Sequence, residues 1–132
     1  MAFAPIRKQG KLPGAVLQSA YSKEYGSVRL AAHQRGARRR RLMRWEPRSA
    51  RRALLAQDTF EIQQAAIAAG QRVLVVDDLL ATGGTAASAI DLVQRLGGAP
   101  TGFCCVVELP ALNGRGRLPA GLPVFSLVQR DG

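Results

Sequence analysis

A strand, a glycine-containing turn, a helix and a second strand follow one another in the C-terminal half of the chain. The β-branched run at residues 72–76 predicts the first strand, and the apolar run at 103–109 predicts the second. Between them, apolar side chains recur at three- and four-residue spacing over residues 85–96, which predicts a helix ended by the glycine pair at 97–98. Strand, helix and strand in this order form a βαβ unit with parallel strands and a right-handed crossover. We expect both strands to be buried on both faces. The predicted buried face of the helix consists of Ala86, Ala89, Ile90, Val93 and Leu96.

The other segments carry shorter signals. Residues 3–6 predict a short extended segment that leads into a strand ending at Arg7. Residues 123–129 predict another strand, and the alternation of Phe60 and Ile62 with polar neighbours predicts a third. Residues 63–69 predict a brief helix that Gly70 ends. With 132 residues, 47% of them apolar, the chain suits one compact domain.

The turn between the first strand and the helix carries the residues suited to chemistry. Asp77 and Asp78 follow the buried strand, at the edge of the sheet where open α/β folds bind ligands. Gly83 and Gly84 let the backbone approach a ligand closely, and the following helix N-terminus favours an anion. Two hydroxyl donors, Thr82 and Thr85, complete the turn. Acids for sugar hydroxyls and amides for a phosphate, a few residues apart, predict a site for a ribose 5-phosphate.

Other phosphate motifs do not fit this turn. A P-loop requires Gly-Lys-Ser/Thr, whereas Gly84 is followed by Thr85. No G-x-G-x-x-G pattern follows a strand, so a dinucleotide site is unsupported. The remaining alternative is a plain tight turn whose acids face solvent.

The positive charge of the chain is concentrated in one segment. The chain carries a net charge of +10, of which residues 27–57, with ten arginines and one acid, carry +9. We call residues 27–57 the arginine zone and expect it to be disordered, because it lacks a sustained apolar period. The zone suggests nucleic-acid binding through Arg38, Arg39, Arg40, Arg41 and their neighbours. Trp45 is its only aromatic residue, so base stacking would be poor, and we interpret such binding as adventitious.

Several classes of protein are excluded by composition. The two cysteines, Cys104 and Cys105, are adjacent in an apolar run, which is typical of reduced thiols in an intracellular protein. With His33 as the single histidine, the chain has too few ligands for a Cys/His zinc site. No apolar run approaches the ~20 residues that span a bilayer, and no secretory signal begins the chain. We therefore expect a cytoplasmic protein without a membrane partner.

The chain resembles the type I phosphoribosyltransferase family, and within it the adenine-specific enzymes. Residues 73–85 resemble the family's phosphoribosyl-pyrophosphate motif. Residues 6–14 resemble the strand and basic loop of the adenine-specific enzymes, and residues 21–26 resemble their mobile catalytic loop. Residues 106–109, with the regions around Gly114-Arg115 and Phe125-Ser126-Leu127, resemble their C-terminal part. The resemblance implies an α/β fold, an incomplete type I phosphoribosyltransferase fold with a parallel Rossmann-like sheet flanked by helices.

The resemblance also implies a reaction, in which adenine and phosphoribosyl pyrophosphate give AMP and pyrophosphate in purine salvage. Asp77 and Asp78 would hold the ribose hydroxyls, with Mg²⁺ held mainly through the substrate near them. Glu24 would act as the acid–base residue, with Tyr25 beside it, and Leu109 would pack against adenine. The residues implied for the 5-phosphate are Ala81, Thr82, Gly83, Gly84 and Thr85, and those implied for pyrophosphate are Arg7, Lys8 and Lys11. A homodimer is the implied assembly.

Two departures from the family pattern bear on activity. The family has a long N-terminal portion before the strand that ends here at Arg7, so we expect an exposed apolar edge or face and at most trace turnover. The arginine zone separates Gly26 from Asp58, and its removal restores a family-like sequence. We interpret the zone as a retained intron or a mispredicted gene model. A dominant messenger RNA that keeps the zone would contradict this interpretation. The predicted organisation is thus residues 1–26 with the basic loop and the start of the catalytic loop, the zone 27–57, and the phosphate-binding core 58–132. The alternatives are an arginine-rich nucleic-acid-binding protein and an inactive subunit that pairs with full-length enzyme.

Overall fold

The computed structural model describes residues 2–22 and 57–131. The expected disorder of the arginine zone, except for Gln57, falls outside the described residues. The strands are β1 (Arg7–Lys8), β2 (Val16–Ser22), β3 (Gln57–Gln63), β4 (Arg72–Leu80), β5 (Ala99–Glu108) and β6 (Val124–Gln129). One α-helix, α1 (Gly84–Arg95), lies among the described residues, together with short 3-10 helices at Pro110–Leu112 and Gly114–Arg117. No helix in these two stretches is long and apolar enough to cross a membrane.

The βαβ unit is confirmed. Strands β4, β5 and β6 form a parallel sheet in that order, with Val75 opposite Phe103 and Leu80 opposite Glu108. Strand β4 continues to Leu80, so it includes the acid pair that the sequence reading placed after it. The apolar run at residues 72–76 does not predict this extension, because the end of β4 is held in the strand by backbone pairing with β5 and not by its own side chains.

A second, antiparallel sheet was not predicted. Its strand order is β1-β3-β2, and one row crosses it through Lys8, Phe60 and Ser19. The strand expected to end at Arg7 is instead Arg7–Lys8, and residues 3–6 before it form no strand. The brief helix expected at residues 63–69 is also wrong, because this segment forms turns between β3 and β4.

Helix α1 packs between the two sheets. It contacts β4 and β5 on one side and β2 and β3 on the other. Four of its five predicted core positions are buried and Leu96 is partly buried, but Leu92 is fully buried as well and Ser88 nearly so. The helix therefore has a wider buried surface than a single stripe predicts, because two sheets cover it rather than one. Its neighbours in the core include Phe103, Ile62 and Leu80.

The expectation that the parallel strands are buried on both faces is wrong for the described residues. One face packs on α1, and the other exposes Leu74 and Val76 of β4 with Phe125 and Leu127 of β6. Val76 is 69% exposed and Phe125 is 61% exposed, although both side chains are apolar. The expected exposed apolar face is therefore present in this part of the chain.

Candidate functional site

The turn at the start of α1 presents backbone amides to the carboxyl end of the parallel sheet. Gly83, the N-cap residue, has φ of 81°, a left-handed conformation that side-chain-bearing residues rarely adopt. The first α-helical bond of this end runs from the amide of Ala87 to the carbonyl of Gly83 at 2.9 Å. The amides of Gly84, Thr85 and Ala86 precede that bond, so they have no acceptor within the helix. No acidic residue lies in the first turn and no side chain caps it. This helix end therefore favours a bound anion.

The two acids lie at the end of β4 beside this turn. The amide of Asp78 donates to Oδ1 of Asp77 at 2.9 Å. Burial raises the pKa of Asp77 above its ordinary value, and the neighbouring Asp78 side chain raises it further. Because burial and Asp78 disfavour its ionised form, a cation or a hydroxyl donor nearby would stabilise the Asp77 carboxylate. Asp77 is therefore suited to bind a ligand.

Acids and amides share one cavity. The cavity has a volume of about 230 Å³, and its lining is one continuous segment, residues 77–86. That segment contains all seven residues assigned from the sequence to the ribose and its 5-phosphate: Asp77, Asp78, Ala81, Thr82, Gly83, Gly84 and Thr85. Both acids and both glycines line the same space, although Asp78 is exposed, as a plain tight turn whose acids face solvent also predicts.

The basic residues assigned to pyrophosphate lie elsewhere. Arg7 and Lys8 are exposed on β1, an edge strand of the antiparallel sheet, and Lys8 forms an ion pair with Asp58 at 3.6 Å. Lys11 follows in the next loop and is exposed. The structure thus keeps these three cations together on the antiparallel sheet and away from the lining of the cavity.

Of the residues assigned to the base and to catalysis, the structure describes Leu109. The amide of Leu109 donates to the carbonyl of Leu80 at 2.9 Å, which joins it to the cavity end of the sheet. Its partly buried side chain does not belong to the cavity lining among the described residues. Glu24 and Tyr25 lie outside the described residues. Tyr21 and Ser22, assigned from the sequence to the mobile loop, belong to strand β2 instead.

Sequence reasoning missed Glu61, which holds the basic loop. Its side chain is only 2% exposed, and its Oε1 accepts the amides of Lys11 and Leu12, each at 2.8 Å. These amide donors, Leu12 first, lower the pKa of Glu61 below its ordinary value. Alternation along β3 gave no signal for it, since a charged residue between Phe60 and Ile62 is expected to face solvent.

A second buried carboxylate, Glu108, lies at the end of β5 and is bonded to Arg115 of the 3-10 helix Gly114–Arg117. It is 3% exposed and accepts two bonds from Arg115, Nε to Oε1 at 2.6 Å and Nη2 to Oε2 at 2.7 Å. Ser126 Oγ and Gln129 Nε2 donate to its Oε2 at 2.8 and 3.0 Å. The Arg115 bonds, followed by those from Ser126 and Gln129, lower the pKa of Glu108 to about 2. The sequence marked this region by resemblance but gave these side chains no role.

Comparison with known proteins agrees with this geometry. Residues 15–119 match the family described as "Phosphoribosyl transferase domain". The adenine phosphoribosyltransferase of Synechococcus sp. strain RCC307 is 44% identical over 97% of this chain and 55% of its own length. That of Gloeobacter violaceus is 43% identical, over 96% of this chain and 56% of its own length.

Solved structures give the same result. The adenine phosphoribosyltransferase of Rhodothermus marinus matches with a TM-score of 0.71 and 38% identity, over 97% of this chain and 56% of that one. The Saccharomyces cerevisiae enzyme, solved with an imino-altritol bisphosphate and adenine, matches with a TM-score of 0.68 and 38% identity, over 96% and 53%. The chain spans about half the length of the relatives it matches. From its sequence, its cavity and these matches, the chain belongs to the phosphoribosyltransferase family.

Proposed function

We propose that this chain carries the phosphoribosyl-pyrophosphate-binding part of an adenine phosphoribosyltransferase, the salvage enzyme that converts adenine and phosphoribosyl pyrophosphate to AMP and pyrophosphate. The observation that carries this proposal is the convergence of Asp77, Asp78 and the open amides of α1 on one cavity. The names of the relatives and solved structures support adenine as the base.

Each group at the cavity has a role in this reaction. Asp77 and Asp78 accept hydrogen bonds from the two ribose hydroxyls, and the amides and hydroxyls of residues 81–85 hold the 5-phosphate. Fixing both ends of the sugar holds its anomeric carbon in place for attack by the base. The positive charge that develops on the ribose in an oxocarbenium-like transition state then lies near two carboxylates, which stabilise it.

Magnesium fits this set of donors. Mg²⁺ is commonly bound by one or two carboxylates together with substrate phosphates rather than by a cage of protein ligands. Asp77 and Asp78 provide such a pair, and the described residues contain no cluster of three or more His, Cys, Asp or Glu side chains able to hold a metal. When bound, the ion would neutralise pyrophosphate charge, and it would lower the raised pKa of Asp77 because a cation favours the carboxylate form.

The path of β2 supports a catalytic role for Glu24 and Tyr25. Ser19 Oγ donates to Asp91 at 2.9 Å and Arg95 donates to the carbonyl of Gln18 at 2.7 Å, so β2 and α1 run in opposite directions. From Ser19 to the end of β2 at Ser22, three residues of strand advance about 10 Å along the helix axis toward its N-terminus. Seven residues of helix from Asp91 back to Gly84 also advance about 10 Å. Strand β2 thus ends at the level of the glycine turn, the appropriate place to begin a loop that carries an acid–base residue.

The base and the assembly remain further parts of the proposal. We propose that Leu109, whose amide donates to the carbonyl of Leu80, contacts the base from the sheet side. Arg7, Lys8 and Lys11 do not line the cavity, so their role at pyrophosphate is the weakest match to the geometry. The relatives that the chain matches are nearly twice as long. We propose that the protein acts in the cytoplasm and forms a homodimer.

Thermal unfolding with ribose 5-phosphate tests the proposal. We expect ribose 5-phosphate with Mg²⁺ to raise the Tm, by an amount equivalent to about 2.7 kcal/mol at a hundredfold excess over Kd. Asp77→Asn should abolish this ligand effect. In the absence of ligand the same variant should be slightly more stable at neutral pH, because a group with a raised folded pKa destabilises the fold once it ionises.

The control must separate the cavity from the arginine zone, which can attract any phosphate. A form lacking residues 27–57 should keep the full stabilisation, and glucose 6-phosphate at equal ionic strength should give little. Equal stabilisation by both sugar phosphates, or its loss when the zone is removed, would contradict the proposal.

A further inference from the structure

The glycine turn is in direct backbone contact with a distant segment, the 3-10 helix Gly114–Arg117. A Cβ on Gly83 would overlap the carbonyl of Gly114. A Cβ on Gly114 would overlap the carbonyl of Ala81 and would lie 3.1 Å from both the amide nitrogen of Gly83 and Cδ1 of Leu80. Two glycines thus allow two backbones to meet without side chains between them, and both are buried. The position of Gly114 therefore limits where the phosphate-binding backbone can lie.

Arg115, the next residue, fixes the position of Gly114. Its guanidinium forms the two-bonded pair with Glu108, and Glu108 ends β5 opposite Leu80 of β4. Ser126 and Gln129 of β6 donate to the same carboxylate, so the sheet holds its position independently of Arg115. A planar guanidinium bonded at two atoms has little freedom to move.

We propose that Glu108 and Arg115 are positioning residues for the phosphate turn, acting through the backbone of Gly114 on the backbone at residues 81–83. Neither side chain lines the cavity at residues 77–86. Their effect is to hold the turn against the end of the sheet so that its amides keep one arrangement before a ligand arrives. This inference rests on the proposed function only in naming a ribose phosphate as the ligand.

Three substitutions test the proposal through affinity. Glu108→Gln keeps the shape of the side chain and removes its charge, Arg115→Met removes the paired bonds, and Gly114→Ala adds only the methyl group that would meet Ala81. Gly114 does not have a positive φ, so alanine is tolerated by its backbone conformation. By calorimetry with ribose 5-phosphate, we expect each to weaken binding about tenfold or more, since small displacements of positioned groups have effects of this size. Arg115→Lys should restore part of the affinity lost in Arg115→Met.

Matched controls separate positioning from a general loss of stability. Gly116→Ala lies in the same 3-10 helix, where the added methyl would meet only the side chain of Asn113. Thr101→Val removes a side-chain hydrogen bond to the Val73 carbonyl, 3.2 Å long, at the opposite end of the sheet. Both should leave the Kd unchanged, even where Thr101→Val lowers the Tm as much as Glu108→Gln does.

A measurement without ligand separates this proposal from the proposed function. In ligand-free protein, the amide NMR signals of Gly83 and Gly84 should shift in Glu108→Gln and Gly114→Ala but not in Gly116→Ala. If the unmodified chain fails to bind ribose 5-phosphate, the proposed function fails, while these amide shifts still decide the positioning role.

Two results would overturn the inference. One is unchanged amide signals with unchanged affinity in folded Glu108→Gln and Gly114→Ala. The other is tighter binding by Glu108→Gln, because that would mean a released Arg115 contacts the phosphate itself.

Discussion

Three buried or partly buried carboxyl groups in this chain differ in how well their charge is satisfied. Glu61 and Glu108 each accept several hydrogen bonds, and the pKa of each is lowered. Asp77 is partly buried beside another acid, and its pKa is raised. Ionisation of the first two groups stabilises the fold, so they hold structure together. The ionised form of Asp77 accepts one amide bond but is disfavoured by burial, and a ligand or cation would stabilise it. This difference sets Asp77, which we propose to bind the ligand, apart from the two structural acids without reference to any relative.

Acid should weaken the fold through Glu108. Its folded pKa of about 2 lies below the ordinary value of 4.5, so its stabilising contribution is complete above about pH 5 and is lost as the pH falls toward 2. The contribution is at most about 3 kcal/mol, from the size of that shift. Urea unfolding at pH 7, 4 and 3 should show Glu108→Gln to be less stable at pH 7 and less sensitive to acid than the unmodified chain.

Glu61 should leave some acid sensitivity in that variant, because its pKa is lowered too. Asp131→Asn, at an exposed position near the C-terminus, serves as the control and should keep the original dependence. An unchanged loss of stability between pH 5 and pH 3 in Glu108→Gln would show that this carboxylate does not control acid unfolding.

At the scale of elements, the two ends of helix α1 make different interactions. Its N-terminus offers amides to an anion, while its last turns attach β2 through Asp91 and Arg95. The two residues also pair with each other at 3.4 Å. The strand that precedes the proposed catalytic-loop residues is therefore attached to the helix whose N-terminus is proposed to bind the phosphate.

Releasing this attachment should loosen the antiparallel sheet selectively. Arg95→Met removes the bond to the Gln18 carbonyl, and we expect a loss of about 0.5–1.5 kcal/mol in unfolding free energy, the usual range for one such bond. Hydrogen exchange should show faster exchange for amides of β2 and β3, with β4 and β5 unaffected. Gln94→Ala, at the exposed neighbouring position, should change neither region. Uniform acceleration across both sheets would mean that the bond supports the whole fold instead.

At the scale of the whole molecule, the described residues leave one face of the parallel sheet open. Val76, Cys104 and Phe125 lie side by side in one row across β4, β5 and β6. The two outer members of the row are more than 60% exposed. A contiguous apolar surface of this kind favours association with another surface.

The exposed row should cause self-association. We expect sedimentation velocity at micromolar concentrations to detect species larger than the monomer, and Val76→Thr with Phe125→Thr to reduce them. Threonine keeps β-propensity while adding a hydroxyl, so the strands should persist. Leu112→Thr removes an equally apolar exposed side chain from the 3-10 helix and should have no effect. A monomeric unmodified chain, or equal effects of the two substitutions, would contradict this assignment.

The sequence by itself determined the βαβ unit and the ligand cavity. Both are local: residues 77–86 line the cavity without a break, so strand, glycine turn and helix signals identify the lining residues, although pairing with β5 extends β4 past the acid pair. The tertiary structure decided what lies around them. Strand β2 pairs with β3 across a long interval, Glu61 turns inward to hold a distant loop, and Gly114 meets Gly83. Such contacts join segments far apart in the chain, and their free energy depends on packing and burial, which leave no periodic pattern in either segment.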